Sequence, residues 1–343
     1  MAFHPISNPQ SLTHSAGPYY LAEDCNSLGA LDMGVAPHLL PGRQSITDGK
    51  VLKRFSARWL ADLPSEAGLP VSEMLEAAIG GRLRALYVMK SDPAIHIGKE
   101  PLEKLDFLVV QDLFLTETAQ LADVVLPAAS FAETEGTFTN LAGRVQNVRK
   151  ALWPPGEARA DDQILAELAK AMGKDPGYAS VGGVMAEIAK LAPMYRNISY
   201  EDLGEGGLPR AEGDREPPAL AEPEACDLRP ETGDLLALVT GRLLYDGDIR
   251  LAQSEIMRQF VPEPFVEINP ADAEALGIAD GAAVIVASSK GELRLVARVS
   301  EDIRPGCVFV PRGFAEAPVS TLLDREAIVT WVSVTSDQRS GNQ

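Results

Sequence analysis

A polar segment at residues 131–146 contains the residue types that bind anions. Its sequence is FAETEGTFTNLAGRVQ, and the glycines Gly136 and Gly143 allow backbone N–H groups to approach a ligand closely. Four of its side chains donate hydrogen bonds: Thr137, Thr139, Asn140 and Arg144. The segment is therefore a candidate cradle for a phosphate or diphosphate. The alternative is that these side chains satisfy the backbone of their own loop, and spacing alone favours that alternative.

A second candidate for phosphate binding is the tripeptide Thr240-Gly241-Arg242. It ends a predicted strand, where a guanidinium is well placed to contact a phosphate. Arg242 as an ordinary surface residue is the commoner outcome for so short a motif. The sequence contains neither G-x-G-x-x-G nor a Walker A motif, so the usual nucleotide-binding loops give these segments no support.

Other reactive residue types occur without neighbours that would give them a chemical role. Glu133 and Glu135 lie two residues apart and Asp123 precedes them, which suggests an acid/base pair, but no nucleophile is close in sequence. Solvated loop charges are the favoured interpretation. His96 is interpreted as a loop histidine, and Cys25, which precedes a glycine-containing loop, as a structural thiol.

The cysteine and histidine counts argue against two kinds of metal centre. The chain has three Cys and four His, with no C-x-x-C and no histidine pair at i, i+4. A cluster held by cysteine alone needs four thiolates, and a structural zinc site needs closely spaced ligands. We therefore expect no metal in this chain. Scattered cysteines (Cys25, Cys226 and Cys307) also make a poor disulfide framework, which favours a reducing compartment.

The composition is typical of a soluble protein with an acidic surface. A length of 343 residues suggests about two or three domains. The net charge of −18 argues against nucleic acid as a partner, because neutralising phosphates needs a surface rich in Lys and Arg. No apolar run approaches about 18 residues, and the first ten residues do not resemble a signal peptide. We expect a soluble, cytoplasmic protein without direct membrane insertion.

Apolar runs predict the strands that position the first candidate segment: residues 86–89, 107–110 and 124–126. The crossovers between these runs, at 90–106 and 111–123, are each long enough for a helix. Strand, helix, strand, helix, strand predicts a parallel α/β sheet with buried strands. The candidate cradle follows the third strand, at the edge where open α/β sheets bind ligands.

Helices are predicted at residues 72–79, with Ser72 as N-cap and Gly80-Gly81 as its end, and at 161–172 and about 184–191. Beyond residue 234 the apolar period changes to two. The predicted strands there are 235–240, 265–268, 284–286, 293–299 and 307–310, with a short helix between Asn269 and Gly277. Short strands with regularly spaced turns predict a compact β-barrel.

These patterns divide the chain into five segments: an irregular arm (1–20), an α/β domain (21–200), a linker (201–234), a β-barrel (235–335) and a polar tail (336–343). The linker contains eleven Asp or Glu against three Arg, with five Pro and five Gly. Such a composition buries little apolar surface, which is typical of an exposed connection.

Residues 107–146 resemble the molybdopterin oxidoreductase superfamily. The resemblance lies in the spacing of Asp112, Thr116-Glu117-Thr118, the run ADVVLP at 122–127, Glu135-Gly136-Thr137 and Gly143-Arg144. Residues 25–42, CNSLGALDMGVAPHLLPG, resemble the branch found in the large iron–sulfur subunit of respiratory complex I, the NADH:quinone oxidoreductase. Residues 238–246 and 268–281 are similar to the family's carboxyl-terminal double-psi β-barrel.

The resemblance implies the carboxyl half of such a subunit: a partial parallel-sheet α/β domain followed by a double-psi β-barrel. The iron–sulfur domains and the residue that ligates molybdenum belong to the other half, and Cys25 does not match that ligand. Seven residues match positions that would face the pterin dinucleotide: Thr137, Asn140, Gly143, Arg144, Thr240, Gly241 and Arg242. Ala142 stands where many relatives have an acidic residue.

Two functions are implied by the resemblance. The leading hypothesis is a structural subunit of a complex I-type NADH:quinone oxidoreductase, not catalytic alone, without cofactor, and with iron–sulfur clusters on a partner or missing half. Its partners would be subunits of the peripheral arm, on the inner face of the cell membrane. The alternative is a fragment of a catalytic enzyme binding molybdenum or tungsten through bis-molybdopterin guanine dinucleotide, such as a formate dehydrogenase or nitrate reductase relative. A truncated product without function is a third, weaker possibility.

Overall fold

The computed structural model describes residues 24–211, 235–246, 251, 253–314, 316–324 and 329–337. The predicted arm, residues 212–234 of the linker, and the last six residues of the tail lie outside this part of the chain. The chain forms two compact units. Unit 1 lies within Met1–Leu83, Gln111–Leu113 and Val125–Ala219, and unit 2 lies within Arg84–Val110, Phe114–Val124 and Leu220–Gln343.

The units differ from the predicted domains because residues 84–110 and 114–124 belong with the barrel. Helix α4 (Pro93–Ile97), in the first crossover, contacts the 3₁₀ turn Val319–Thr321 of the carboxyl-terminal region. The alternation of strands and helices along the chain gives no sign of such a long-range contact.

Ten α-helices lie in the described residues: α1 Ser27–Asp32, α2 Gly49–Trp59, α3 Val71–Ile79, α4 Pro93–Ile97, α5 Glu100–Glu103, α6 Glu117–Gln120, α7 Asp161–Ala171, α8 Val181–Leu191, α9 Glu255–Arg258 and α10 Pro270–Leu276. Pro193–Tyr195 and Glu201–Leu203 form further 3₁₀ turns. No helix of this part of the chain has the length and apolar character that a bilayer span requires.

The three predicted longer helices are present, with two differences at their starts. The N-cap of α3 is Pro70, so the prediction that Ser72 caps this helix is wrong. Helix α8 begins at Val181, three residues before the predicted start, because the Ser180 hydroxyl accepts a hydrogen bond from the backbone N–H of Gly183. The N-cap offsets the low helix propensity of Gly182 and Gly183.

Fourteen strands lie in the described residues: β1 Leu39–Leu40, β2 Gln44–Ser45, β3 Ala85–Met89, β4 Phe107–Asp112, β5 Val124–Pro127, β6 Gly136–Thr139, β7 Arg144–Val148, β8 Leu208–Pro209, β9 Leu236–Gly241, β10 Phe265–Ile268, β11 Ala283–Ala287, β12 Glu292–Val299, β13 Cys307–Pro311 and β14 Trp331–Ser336. Strands β3, β4 and β5 form one three-stranded sheet in that order, and its predicted parallel α/β character is confirmed.

Burial in this sheet is uneven. Leu108 and Val110 of the central strand β4 are buried, whereas Val124 and Val125 of β5 are each 39% exposed. The expectation of buried strands is therefore wrong for β5 and for the ends of β3, where Met89 is also 39% exposed. Among the strands that the structure describes, β5 is an outer strand of this sheet and pairs with a strand on one side only.

The predicted β-barrel is confirmed in unit 2. Six strands close in the order β10-β12-β11-β14-β9-β13, with parallel pairs β10–β12 and β9–β13. Alternate side chains fill the interior, including Val284, Val286 and Val308, which are fully buried. Helix α10 begins as predicted, with the Asn269 side chain accepting a hydrogen bond from the N–H of Ala271.

The start of the predicted linker is structured. Leu203 is buried, and β8 at Leu208–Pro209 pairs antiparallel with β7 through Val145 and Arg144. Leu203 and Leu208 pack in an apolar cluster of unit 1, and the acidic average composition of the whole segment conceals these two residues.

Candidate functional site

The candidate cradle folds mainly as a β-hairpin. Strands β6 and β7 pair antiparallel, with Thr137 opposite Asn147, and residues 140–143 connect them. Gly143 has φ = 71°, a left-handed conformation that glycine adopts without steric cost. Gly143 is thus explained by the turn of the hairpin.

The side chain of Asn140 closes this turn. Its Oδ1 accepts hydrogen bonds from the N–H groups of Ala142 and Arg144, each at 3.0 Å. Its Nδ2 donates to Gln146 Oε1 at 3.2 Å. In the backbone, the N–H of Asn140 donates to the Arg144 carbonyl at 3.0 Å, and that of Gly143 to the Asn140 carbonyl at 2.8 Å. These bonds are those of a turn satisfied by its own side chain.

The turn is also bonded to distant segments of unit 1. The N–H of Thr139 donates to Asn26 Oδ1 at 2.8 Å, at the start of α1. Arg144 Nη1 donates to the carbonyls of Gly206 and Gly207 at 3.2 and 2.8 Å. The N–H of Arg210 donates to the carbonyl of Gly143 at 2.9 Å. We call residues 139–144, with Asn26 and residues 206–210, the hairpin junction.

A buried charge cluster lies next to the junction. Asp32 is fully buried; its Oδ1 accepts a hydrogen bond from Arg43 Nε at 2.6 Å, and its Oδ2 lies 2.8 Å from Arg210 Nε. The Tyr195 hydroxyl donates to Oδ2 at 2.9 Å and lies 2.8 Å from Thr139 Oγ1. Two guanidinium groups and a hydroxyl therefore compensate one desolvated carboxylate. We call Asp32, Arg43, Tyr195 and Arg210 the Asp32 cluster.

Burial raises the pKa of Tyr195, with the nearby Asp32 carboxylate acting in the same direction and the hydrogen bond with Thr139 in the opposite one. The phenol is therefore neutral at physiological pH and acts as a hydrogen-bond donor to Asp32. A neutral phenol between a carboxylate and a hydroxyl links the cluster to strand β6.

No motif or spacing in the sequence selects the four residues of the Asp32 cluster. Asp32 lies in the segment 25–42 that carries part of the resemblance, but its partners are remote along the chain. Arg43 has φ = 52°, which is uncommon for a residue other than glycine, and Gly42 before it has φ = 82°. The sequence signal for this turn is the Pro41-Gly42 pair.

The tripeptide Thr240-Gly241-Arg242 lies at the end of β9 in unit 2, where Thr240 is opposite Val310 of β13. The Gly241 carbonyl accepts a hydrogen bond from the N–H of Arg312 at 2.8 Å. A Cβ atom on Gly241 would lie 3.2 Å from the ring of Phe309. Close packing against Phe309 of the neighbouring strand β13 therefore favours glycine at this position.

The charged residue of the tripeptide has a partner within unit 2. Arg242 Nε lies 3.3 Å from Oδ2 of Asp246, whose side chain is 3% exposed. The guanidinium predicted to contact a phosphate is thus ion-paired with a carboxylate. This tripeptide lies in unit 2, and the hairpin junction lies in unit 1.

Two of the three remaining acidic candidates accept a hydrogen bond from a backbone group. Asp123 Oδ2 accepts a hydrogen bond from the N–H of Leu108 at 2.7 Å, and Glu133 Oε2 accepts one from the N–H of Ser130 at 2.8 Å. Cys25 is exposed, while Cys226 and the side chain of His96 lie outside the described residues. Among the residues that the structure describes, no group of three His, Cys, Asp or Glu side chains is arranged to hold a metal ion.

The Thr-Glu-Thr motif at residues 116–118 also has a structural explanation. Thr116 Oγ1 caps α6 by accepting a hydrogen bond from the N–H of Ala119. Buried Asp92 accepts hydrogen bonds from both the N–H and the hydroxyl of Thr118, at 3.0 and 2.5 Å. The motif fixes α6 against the loop after β3 within unit 2.

Comparison with protein families gives two matches. Residues 4–171 match the family described as molybdopterin oxidoreductase, and residues 236–337 match the molydopterin dinucleotide binding domain. The second match coincides with the closed barrel, and the first contains the hairpin junction except for residues 206–210.

Curated relatives include subunits of different oxidoreductases. The chain is 39% identical over 326 residues to the F420-dependent formate dehydrogenase subunit alpha of Methanocaldococcus jannaschii, covering 87% of this chain and 48% of that protein. It is 35% identical over 311 residues to an NADH-quinone oxidoreductase subunit of Rhizobium meliloti, covering 89% of this chain and 36% of that protein. The chain thus spans about half the length of such relatives, or less.

A solved structure shares the fold. Acetylene hydratase from Pelobacter acetylenicus superposes with a TM-score of 0.55 at 18% identity, covering 78% of this chain and 46% of that one. At this level of identity the likeness concerns the fold alone.

Proposed function

The chain belongs to the molybdopterin oxidoreductase family, and from that premise we propose that it is a structural subunit, or the carboxyl-terminal part of one, in a complex I-type NADH:quinone oxidoreductase. It supports the iron–sulfur domains that pass electrons from NADH toward quinone and is not catalytic alone. The clusters belong to a partner chain or to the remaining part of the subunit. The assembly lies on the cytoplasmic face of the cell membrane.

The observation that carries this proposal is the internal use of the donors in the candidate cradle. Asn140 bonds its own turn, and Arg144 bonds the carbonyls of Gly206 and Gly207. A loop that binds a diphosphate must offer donors to it, and here the same donors hold unit 1 together. This use of the donors supports a structural role over a cofactor-binding one.

Three side chains of the predicted pterin-facing set are bonded within the chain, which argues against their binding the diphosphate of molybdopterin guanine dinucleotide, the cofactor that the family implies. Asn140 and Arg144 are committed to the hairpin junction, and Arg242 is ion-paired with Asp246. A Cβ atom on Gly241 would crowd the ring of Phe309 on the neighbouring strand. No chemistry at this cofactor is therefore assigned to these side chains.

Partner subunits are supported by an exposed apolar patch on unit 1. Phe131, Leu152 and Trp153 are 67%, 60% and 85% exposed. Their loops are adjacent because the N–H groups of Ala151 and Leu152 both donate to the carbonyl of Ala132, at 2.7 and 3.0 Å. Exposed aromatic and aliphatic groups of this size are typical of protein interfaces. We call Phe131, Leu152 and Trp153 the apolar patch.

The alternative is a part of a catalytic molybdenum or tungsten enzyme related to formate dehydrogenases or nitrate reductases, with bis-molybdopterin guanine dinucleotide in a cleft shared with the rest of the enzyme. Two observations favour it. The identity with the formate dehydrogenase subunit alpha is 39%, similar to the 35% with the NADH-quinone oxidoreductase subunit. The barrel region also matches a dinucleotide binding domain.

The test is affinity purification of the full chain from its native cells, with every co-purifying protein identified by mass spectrometry. Recovery of flavin- and cluster-bearing NADH dehydrogenase subunits is the expected result. Recovery of a molybdenum-enzyme partner without them would favour the alternative. Trp153→Ser should reduce the recovered partners, whereas Val35→Ser, which changes a 74% exposed residue outside the apolar patch, should not.

A further inference from the structure

The turn between β6 and β7 has almost no free backbone donors. Five of the six N–H groups from Thr139 to Arg144 donate hydrogen bonds within unit 1. Two of them, those of Ala142 and Arg144, converge on the single oxygen Oδ1 of Asn140. Converging backbone N–H groups at a glycine-containing turn form the kind of concavity that binds anions in other proteins.

We propose that Asn140 Oδ1 occupies the anion position of this turn, and that residues 139–144 form a permanent structural junction rather than a phosphate cradle. Asn140 is then a positioning residue: it holds the turn in one conformation in the absence of any ligand. The inference concerns this chain alone and is independent of which oxidoreductase contains it.

The side chain of Arg144 supports this inference. Arg144 is exposed, yet its Nη1 is bonded to two carbonyls of the segment that leads into β8. The same segment returns a hydrogen bond from the N–H of Arg210 to the Gly143 carbonyl. The turn and residues 206–210 are thus bonded in both directions.

Within the described part of unit 1, the buried side-chain atoms Arg43 Nη2, Asn147 Oδ1 and Arg210 Nε have no hydrogen bond. Arg210 belongs to the hairpin junction, and its Nε lies 2.8 Å from Asp32 Oδ2, so this guanidinium is ion-paired with a carboxylate of the same chain. None of the three atoms lies in residues 139–144, where Asn140 Oδ1 and Arg144 Nη1 are bonded.

The test is hydrogen–deuterium exchange of the full chain, followed by mass spectrometry of peptides that cover residues 139–144. Without ligand, we expect these amides to be protected and to remain equally protected when sodium pyrophosphate is added. Asn140→Ala should speed their exchange about tenfold, because two N–H groups lose their acceptor. The control is Arg149→Gln, which changes an exposed arginine just beyond β7 and should leave the turn unchanged.

The inference is wrong if the wild-type turn exchanges freely and pyrophosphate protects it. It is also wrong if Asn140→Ala leaves exchange at residues 139–144 unchanged while thermal unfolding shows that the variant is folded. Neither result depends on the identity of the partners. The affinity purification can therefore contradict the proposed function while the exchange experiment supports this inference. Equally, the exchange experiment can contradict the inference while the purification supports the proposed function.

Discussion

The barrel of unit 2 and the hairpin junction of unit 1 are stabilised by different forces. The barrel buries a continuous apolar core from six strands, with Val284, Val286 and Val308 fully inaccessible. The junction and the Asp32 cluster bring together segments from the first 45 residues, from 139–144 and from 195–210, through hydrogen bonds and ion pairs. Burial of apolar surface is non-directional, whereas each polar contact depends on one partner atom.

This difference predicts different tolerance to substitution. Substitutions in a barrel core lower the free energy of unfolding in proportion to the side-chain volume that is removed. Replacement by an apolar residue of similar size therefore costs little. A polar junction has no conservative replacement for most of its atoms, because an unpaired buried donor or charge costs more than the lost bond. The following changes test that contrast.

The largest effect is expected for Asp32→Ala. Removal of the buried carboxylate leaves the guanidinium groups of Arg43 and Arg210 without their counter-charge. We expect the free energy of unfolding to fall by about 3–5 kcal/mol, measured by urea denaturation. Asp62→Ala, at an exposed position, should change it by less than about 0.5 kcal/mol. A loss equal to that of the control would contradict a stabilising role of the Asp32 cluster.

In the barrel, Ile268→Ala should lower the free energy of unfolding by about 2–5 kcal/mol, because the fully buried side chain leaves a cavity. The matched change Ile285→Ala removes the same atoms from a half-buried position on β11 and should cost clearly less. Ile268→Val, which removes fewer atoms, should cost much less than Ile268→Ala. Equal losses at both positions in urea denaturation would contradict a core-dominated barrel.

Glycine substitution distinguishes turn geometry from ligand approach. Gly143→Ala forces a side chain into a left-handed conformation and should cost about 1–2 kcal/mol in thermal unfolding. Gly136→Ala places its Cβ in open space, with no atom within 4 Å, and should be nearly neutral. A larger loss of stability for Gly136→Ala than for Gly143→Ala would show that the left-handed backbone conformation does not explain Gly143.

The smallest effect is a pH dependence from Tyr195. Burial raises its pKa, so the folded protein holds the phenolic proton more tightly than the unfolded chain does. The stability from this group is present below a pH of about 10 and is lost as the pH rises toward the raised pKa. Above that pH, the wild-type free energy of unfolding should fall more steeply than that of Tyr195→Phe, by up to about 1.4 kcal/mol per pH unit. The measurement is urea denaturation of both proteins at several alkaline pH values. An equal dependence of the two free energies of unfolding on pH would contradict this prediction.

The barrel could be predicted from the sequence because its pattern is local. Alternation along 284–286 and 293–299 specifies both strands, and Asn269-Pro270 with Gly277 specifies a helix, all within short windows. The strands of the small sheet were predicted for the same reason. The exposure of Val124 and Val125 was not predicted, because it depends on how many strands flank β5 in the folded sheet.

The candidate site was only partly predictable. Asn140, Gly143 and Arg144 were selected by type and spacing, and both a ligand-binding and a self-bonded interpretation were compatible with them. The difference lies in partners such as Asn26 and residues 206–207, which no local pattern connects to the turn. The Asp32 cluster was missed because its charges meet only in the folded chain.

The most direct test of the structural role is the pterin and molybdenum content of the native assembly that contains this chain. The assembly is purified through the full chain, oxidised with iodine, and measured for the fluorescent pterin product and for metal by mass spectrometry. The structural account predicts neither above background, in an assembly that retains its NADH dehydrogenase subunits. Pterin and molybdenum in stoichiometric amounts with this chain would contradict it and favour the catalytic alternative.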